Sequence, residues 1–390
     1  MERIGIYSGT FNPPHVGHIR GAEQALCALK LDRLLMIPDG IAPHKTLPEG
    51  SPTPEQRLQM LRLSVSDPRI TVSDQEIRRG EASYTWMLVE DVRKNYPDAQ
   101  LFLIMGTDMF LHFLNWWEHE RILKQVTLAV LSRGDRGERE AVAEQKRRIA
   151  QMGYDVQVLE NPATPISSTQ LRRLLAFGCG EEFLPAGAAA YIREQGLYNT
   201  AACWKQLPME QLEGIVVSLL KPNRVAHVLG CRDTSVKLAL KWGADPVDAA
   251  RAGLLHDVTK ALDGPLQLTL CEAYGKVLSD FSKKYPKTLH AFTGSLVAER
   301  IFGENENVIS AICHHTTGRA NMTLLEKIVY VADYMEPNRT IPGVERLRDL
   351  AYSDLDAAVK LGLEMTLEHL KKQGSEVSPE SREALAWLNQ

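Results

Sequence analysis

The feature that most constrains this chain is a change of pattern about halfway along it. From Arg3 to about Tyr198, short β-branched or apolar runs alternate with segments of helical periodicity. The runs are Arg3–Ser8, Arg33–Pro38, Ile70–Ser73, Leu101–Met105, Val126–Leu131 and Asp155–Leu159, and helical spacing appears in Ile19, Ala22, Leu26 and Leu29 and again in Leu58, Leu61 and Val65. Such alternation buries its apolar faces as a mostly parallel sheet covered by helices on both sides. A Rossmann-like, doubly wound α/β domain is predicted over residues 1–200. After Leu197-Tyr198-Asn199-Thr200 the β-type runs stop. Met209–Leu220, Arg224–Trp242, Pro246–Leu255, Ser295–Ile301, Leu324–Tyr334 and Leu355–Lys371 then read as helices broken by Gly, Pro and Asn. An all-α domain is predicted over residues 208–390, with the boundary near Ala201–Leu207. The 390 residues agree with two domains at roughly 100–200 residues each.

Composition narrows the partners. A net charge of −4 gives no global field to hold nucleic acid or an anionic membrane, so a polyanionic ligand must meet local basic groups. The first residues run straight into a β-type segment, with no basic-then-apolar signal, and no apolar stretch approaches the ~20 residues that cross a bilayer. A cytoplasmic location is expected. Cys27, Cys179, Cys203, Cys231, Cys271 and Cys313 are scattered without a C-x-x-C pair, which disfavours disulfides and a zinc ribbon. The charged run Arg133–Arg148 reads as a solvated helix face. Asp39–Pro54, with four prolines and two glycines, reads as a non-helical surface excursion.

Two constellations carry chemistry. The first is Ser8-Gly9-Thr10-Phe11-Asn12-Pro13-Pro14-His15-Val16-Gly17-His18, between the first strand and a helix beginning near Val16. Free backbone N–H groups and the helix dipole converge there, which favours phosphate. His15 and His18, three apart, share a helix face, and their ring N–H groups can stabilise charge developing on a transferred phosphate. Ser167 with Gln170 reads as a capping box opening a second helix, whose first turn holds Ser168, Thr169 and Arg172, a second anion site. Two such openings can clamp one triphosphate.

At these residues the chain resembles the H-x-G-H nucleotidyltransferases, and among them the bacterial nicotinate-nucleotide adenylyltransferases. The resemblance covers about the first 200 residues and implies their nucleotidyltransferase fold. It extends to Pro43-His44-Lys45, Ser83-Tyr84-Thr85-Trp86, Gly106-Thr107-Asp108 with Trp116 and Trp117, Leu131-Ser132-Arg133, Pro165–Arg172 and Tyr191–Tyr198. It implies that Lys45 reaches ATP phosphates, Asp108 holds a ribose and Trp116 stacks on the nicotinate ring. Gly9, Thr10, Phe11, Thr85, Arg133, Ser168 and Thr169 join them in lining the nucleotides. The implied reaction is attack by the phosphate of nicotinate mononucleotide on the α-phosphorus of ATP, with His15, His18, Lys45, Arg172 and Mg²⁺ positioning and stabilising charge. Asn12 stands where many of these relatives have Asp. Nicotinamide mononucleotide stays open as an acceptor. Class I aminoacyl-tRNA synthetases share the turn, but neither their K-M-S-K-S-type loop nor an anticodon domain is visible.

The second constellation is His227, His256-Asp257, His290, His314-His315 and Asp333, nearly all in or beside apolar helical stretches. Seven such groups are hard to bury without a metal, and imidazole with carboxylate favours Fe, Mn, Zn, Co or Ni over Ca. The order H…HD…H…HH…D, with Leu254–Lys260, Ile312–Gly318 and Tyr330–Arg339 around it, resembles the HD superfamily, specifically its binuclear members that hydrolyse diadenosine tetraphosphate to two ADP. The resemblance implies a binuclear transition-metal centre, with iron expected. His227, His256, Asp257 and Asp333 would hold one ion, with Asp257 bridging, and His290, His314 and His315 the other. A bridging water would attack the phosphoanhydride while Lys260 and Arg339 neutralise phosphates.

The chain is therefore expected to be a bifunctional enzyme acting on small nucleotides. Two alternatives stay open for the second half: a nucleotide sensor regulating the first, or a dimerisation module. The amphipathic segment Leu355–Lys371 could pack within its domain or against a second copy, so a homodimer is also open.

Overall fold

The computed structural model describes residues 1–41, 46–132, 136–160 and 166–390. It divides into two compact units, Met1–Ala176 with Gly180–Ala201, and Phe177–Cys179 with Ala202–Gln390.

In the first unit six strands, β1 (Arg3–Gly9), β2 (Arg33–Pro38), β3 (Ile70–Val72), β4 (Gln100–Gly106), β5 (Val126–Ser132) and β6 (Val156–Glu160), form one parallel sheet in the order β3-β2-β1-β4-β5-β6. Side chains alternate faces along a strand, and both faces are apolar. Leu35 and Ile37 of β2, Leu101, Leu103 and Met105 of β4, and Leu128 and Val130 of β5 enter one core. Leu34 and Met36, Phe102 and Ile104, and Ala129 and Leu131 enter the other. Continuous apolar strands of this kind are what a sheet covered on both sides requires. All six expected strands form, within a residue or two at each end.

The second unit is helical. Helices Pro222–Trp242, Pro246–Leu255, Glu306–His314 and Leu324–Met335 pack on one another, and Leu289–Val297 packs on Glu306–His314. The expected helix Ser295–Ile301 begins six residues earlier, at Leu289, right after a tight turn at Pro286–Thr288. It widens into a π-helical turn over Ala298–Phe302. Leu355–Lys372 packs against Leu324–Met335, burying Leu355, Ala358, Val359 and Leu363. The first unit ends at Ala201, the start of the stretch read as a boundary, and Ala202–Leu207 belongs to the second. Trp204 stacks on Phe302 at 5.8 Å, Gln206 N donates to Phe302 O at 3.0 Å, and Arg251 Nη1 donates to Leu207 O at 2.9 Å. Among the described residues, no helix is long and apolar enough to cross a membrane.

Candidate functional sites

In the first unit the strand order reverses between β1 and β4, and a parallel sheet opens its ligand crevice at the C-terminal ends of such a pair. β1 delivers Gly9, Thr10 and Phe11 to that edge, and β4 delivers Thr107 and Asp108, the latter exposed in the first turn of Thr107–Leu111. His15 is the N-cap of the helix Val16–Ala28. Its Nδ1 accepts from Gly17 N at 3.2 Å, and His18 Nδ1 accepts from His15 N at 3.1 Å. The two imidazoles thus form a reciprocal capping box, a task usually given to Ser, Thr, Asp or Asn paired with Glu or Gln. Because each Nδ1 is an acceptor, the neutral ring carries its proton on Nε2. The rings lie 3.7 Å apart between centroids, so two N–H donors are held side by side.

The turn before them is held by its carbonyls. Arg57 Nη1 donates to Thr10 O at 2.7 Å, Arg172 Nη1 to Asn12 O at 2.6 Å, and Ser168 Oγ to Pro13 O at 3.0 Å. Tyr198 OH donates to Asn12 Oδ1 at 2.8 Å. Arg57 is fully buried and matched by Asp39 at 2.7 Å. Arg172 also donates to Thr169 Oγ1 at 3.2 Å, and Ser167 Oγ accepts from Gln170 N at 3.3 Å, the expected cap of Ser168–Ala176. The two helix openings are thereby brought against one turn. Thr85 starts the helix Thr85–Asn95. Trp116 is half-buried beside Phe113 at 5.3 Å and packs on the core, whereas Trp117 is 57% exposed with Tyr84 and Trp86 edge-on at 4.7 and 5.9 Å. Lys45 and Arg133 lie outside the described residues. Arg57 and Tyr198 were not anticipated.

In the second unit five helices converge. His227 lies within Pro222–Trp242, His256 and Asp257 just beyond Pro246–Leu255, His290 in Leu289–Val297, His315 at the end of Glu306–His314, and Asp333 in Leu324–Met335. Asp257, 1% exposed, stands between two histidine sets. Its Oδ2 is 3.7 Å from His227 Nε2 and 3.6 Å from His256 Nε2, and its Oδ1 is 3.4 Å from His290 Nε2 and 3.9 Å from His315 Nε2. Asp333 Oδ1 lies 3.1 Å from His227 Nε2.

Hydrogen bonds on the outer nitrogens set the tautomers. His256 Nδ1 and His315 Nδ1 donate to Gly253 O and Ile312 O, each at 2.7 Å, and His227 Nδ1 donates to Glu336 Oε1 at 3.1 Å. Burial holds the His256 imidazolium well below its usual range and pushes that of His315 down to about 4, so both rings are neutral near pH 7. The inward Nε2 atoms of His227 and His256 stand 3.3 Å apart; that of His256 carries a lone pair, and that of a neutral His227, whose Nδ1–H is spent on Glu336, does too, facing Asp333. Acceptors facing acceptors in a buried site are unfavourable unless a cation lies among them. His227, His256 and Asp333, and likewise His256, Asp257 and His315, present atoms close enough to share one ion. The donor set fits divalent transition metals, and the Nδ1 bonds are the outer support that such ligands ordinarily carry.

Two expected ligands belong to neither group. One, His290, still stands in the cluster, its Nε2 3.4 Å from Asp257 Oδ1 and 3.2 Å from His315 Nε2. The other is His314. Its ionisation is depressed by burial and otherwise governed by Glu326, Arg319 and Glu380. Successive residues on a helix point about 100° apart, so only His315 of the pair faces inward. Lys260 Nζ lies 2.9 Å from His290 Nε2, and burial brings its ammonium down to about 8. Arg339 Nη2 donates to Asp333 Oδ1 at 2.6 Å. Sequence reasoning missed Arg224, paired with Asp257, and Thr316, whose Oγ1 is 3.1 Å from His290 Nε2 and from His315 Nε2. It also missed Glu336, 1% exposed. A Cβ at Gly230, one turn beyond His227, would collide with the Glu336 carboxylate, so glycine there leaves room for that acid.

The Cytidylyltransferase-like family matches residues 6–174 and the HD domain family residues 224–338. A Pseudomonas syringae pv. tomato protein named “Probable nicotinate-nucleotide adenylyltransferase” is 37% identical over 211 residues, 51% of this chain and 94% of its own length. Proteins named “Bis(5'-nucleosyl)-tetraphosphatase, symmetrical” from Bacillus subtilis (35% identical; 46% of this chain, 96% of theirs) and Halalkalibacterium halodurans (39%; 45% and 95%) match the remainder. With almost the whole of each kind of relative spanned by one half, the chain belongs to the nicotinate-nucleotide adenylyltransferase family in its first half and to the HD-domain symmetrical bis(5'-nucleosyl)-tetraphosphatase family in its second.

Proposed function

We propose that one half of the chain transfers AMP from ATP to nicotinate mononucleotide, releasing pyrophosphate, and that the other hydrolyses diadenosine tetraphosphate symmetrically to two ADP. The observation that carries the reading is the pairing of opposite chemistries. One half gathers N–H donors around an anion site, and the other gathers lone pairs around Asp257.

In the transferase, no protein nucleophile is needed. The carbonyls of the Thr10–Pro13 turn are tied back by Arg57, Arg172 and Ser168, so the turn is fixed before substrate arrives. The Nε2–H groups of His15 and His18 donate to the α-phosphate as charge builds on its oxygens. Thr169 and the opening of Ser168–Ala176 receive the leaving phosphates, aided by Arg172 and Lys45, with Mg²⁺ accompanying ATP. Asp108 holds a ribose, and the aromatic pair with Thr85 receives the pyridine ring.

In the hydrolase, His227, His256, Asp333 and one oxygen of Asp257 would hold one divalent cation, with iron the metal we favour. His290, His315 and the other Asp257 oxygen would hold the second. Bound there, the metals supply Lewis-acid activation of water and of a phosphoanhydride. Glu336 keeps the His227 lone pair turned inward, and Lys260 and Arg339 place positive charge beside the phosphate chain. The test is to assay the purified chain for pyrophosphate release with ATP and nicotinate mononucleotide, and for ADP release from diadenosine tetraphosphate with each of Fe, Mn, Co, Ni and Zn. Both products are expected. Absence of ADP with every metal overturns the second activity, and absence of pyrophosphate the first.

A further inference from the structure

Beyond the metal cluster, the second unit holds an open groove of about 410 Å³ between the segment leaving Leu324–Met335 and the start of Val344–Ala351, with Pro337, Thr340, Gly343 and Glu345 exposed along it. That volume lies within the usual range for small-molecule sites, about 300–1,000 Å³. Arg339, which lines it, also reaches the metal cluster, spending Nε and Nη2 on Asp333 O and Oδ1 at 2.9 and 2.6 Å. A guanidinium has five N–H groups, so two bonds leave donors for a phosphate. Pro337, Ile341 and Val344 supply an apolar wall and Thr340 a hydroxyl. Arg348, which also lines the groove and pairs there with Glu345, holds the segment in shape: it donates to Met335 O at 3.0 Å and to Glu336 O and Arg339 O at 3.1 Å each. The loop carrying Arg339 is therefore clamped at three carbonyls, which limits the ordering cost of binding.

We infer that this groove seats a nucleoside of the hydrolase substrate, with Arg339 gripping the phosphate chain between the metal cluster and the sugar. A flat base suits the Pro337, Ile341 and Val344 wall, and an anionic chain suits a guanidinium bound on its other side to a cluster carboxylate. The inference rests on the hydrolase reading above and adds to it where the substrate's identity is read.

The test is kinetic, in the full-length metal-loaded chain. It measures kcat and KM for diadenosine tetraphosphate and the inhibition constants of ADP and inorganic pyrophosphate against that hydrolysis. Ile341→Trp fills the groove. KM and the ADP constant should rise together by about tenfold, with kcat and the pyrophosphate constant within about twofold, the pattern of lost uniform binding. If the ADP constant is unchanged, or if the pyrophosphate constant rises in parallel, the groove is not a nucleoside site. Should the tryptophan variant lose cooperative melting, Ile341→Ala decides the matter. A KM rise of about threefold with pyrophosphate unaffected supports the assignment, and no change in KM overturns it. A wild-type chain that hydrolyses nothing with any metal overturns the hydrolase reading instead, a distinct result.

Discussion

The two halves meet phosphate in opposite ways. The first places its chemistry on backbone: N–H groups at two helix openings, histidines whose rings are themselves caps, and carbonyls pulled back by arginine and serine. The second uses side chains from five helices whose imidazole nitrogens and carboxylates face one another, with Arg224, Lys260 and Arg339 at their edge. In the first, the groups that hold the turn are paired within the protein, as Arg57, Arg172 and Ser168 are with the Thr10, Asn12 and Pro13 carbonyls. A site of converging lone pairs is incomplete until a cation arrives. Both strategies place catalytic groups on rigid elements, but only the second makes metal part of folding energetics.

The largest effects should come from crossing the halves. Asp257→Ala should abolish metal uptake and lower tetraphosphate hydrolysis by at least about a thousandfold, leaving adenylyl transfer within about twofold. His18→Ala should do the reverse, costing adenylyl transfer roughly 10²–10³-fold, the usual loss for one charge-stabilising donor. Loss of both activities from either change, in a chain that still melts cooperatively, would break the comparison.

Smaller changes sharpen it. Glu336→Gln should weaken metal binding by about 10–100-fold, read by competition with a chelator, because outer-shell partners of ligating histidines typically matter that much. Glu326, fully buried, accepts from Arg319 Nε at 3.0 Å, from Thr323 N at 2.8 Å and from Ser310. Burial alone would raise its carboxyl, but these donors outweigh it and hold it below its usual value. Its stabilisation is therefore complete above the unfolded value of about 4.3 and disappears as pH falls through the folded one. Glu326→Gln should cost about 1.5–3 kcal/mol at neutral pH and flatten the acid limb of a denaturation series. The smallest effect is expected at Tyr198→Phe, which removes one buried hydrogen bond to Asn12. A fall of about fivefold in adenylyl transfer, ~1 kcal/mol, should leave hydrolysis unchanged.

Legibility divided along the same line. The inner strands β2, β4 and β5 could be read because strands buried on both faces are apolar throughout, as Leu101 to Met105 show. The Gly9–His18 turn was legible as a local run. That its histidines cap each other was not, since cap preferences point to other residue types. Tyr198 reaches Asn12 from 186 positions away, and no local pattern announces such a pair. In the helical half the inward residue of His314-His315 depends on the angle at which Glu306–His314 docks, and neighbouring identical residues leave that angle unreadable. Arg224 stands one turn before His227 on the same helix, a spacing that could have suggested a charge for Asp257.

Gly230 decides more than its size suggests. Its missing carbon is the space in which an acid reaches across to the far nitrogen of an imidazole one turn earlier. Were an alanine methyl to occupy that space, the acid would withdraw and the ring could carry its proton on either side. Which electron pair greets an incoming ion would then be left to chance, by a residue that touches neither ion nor nucleotide.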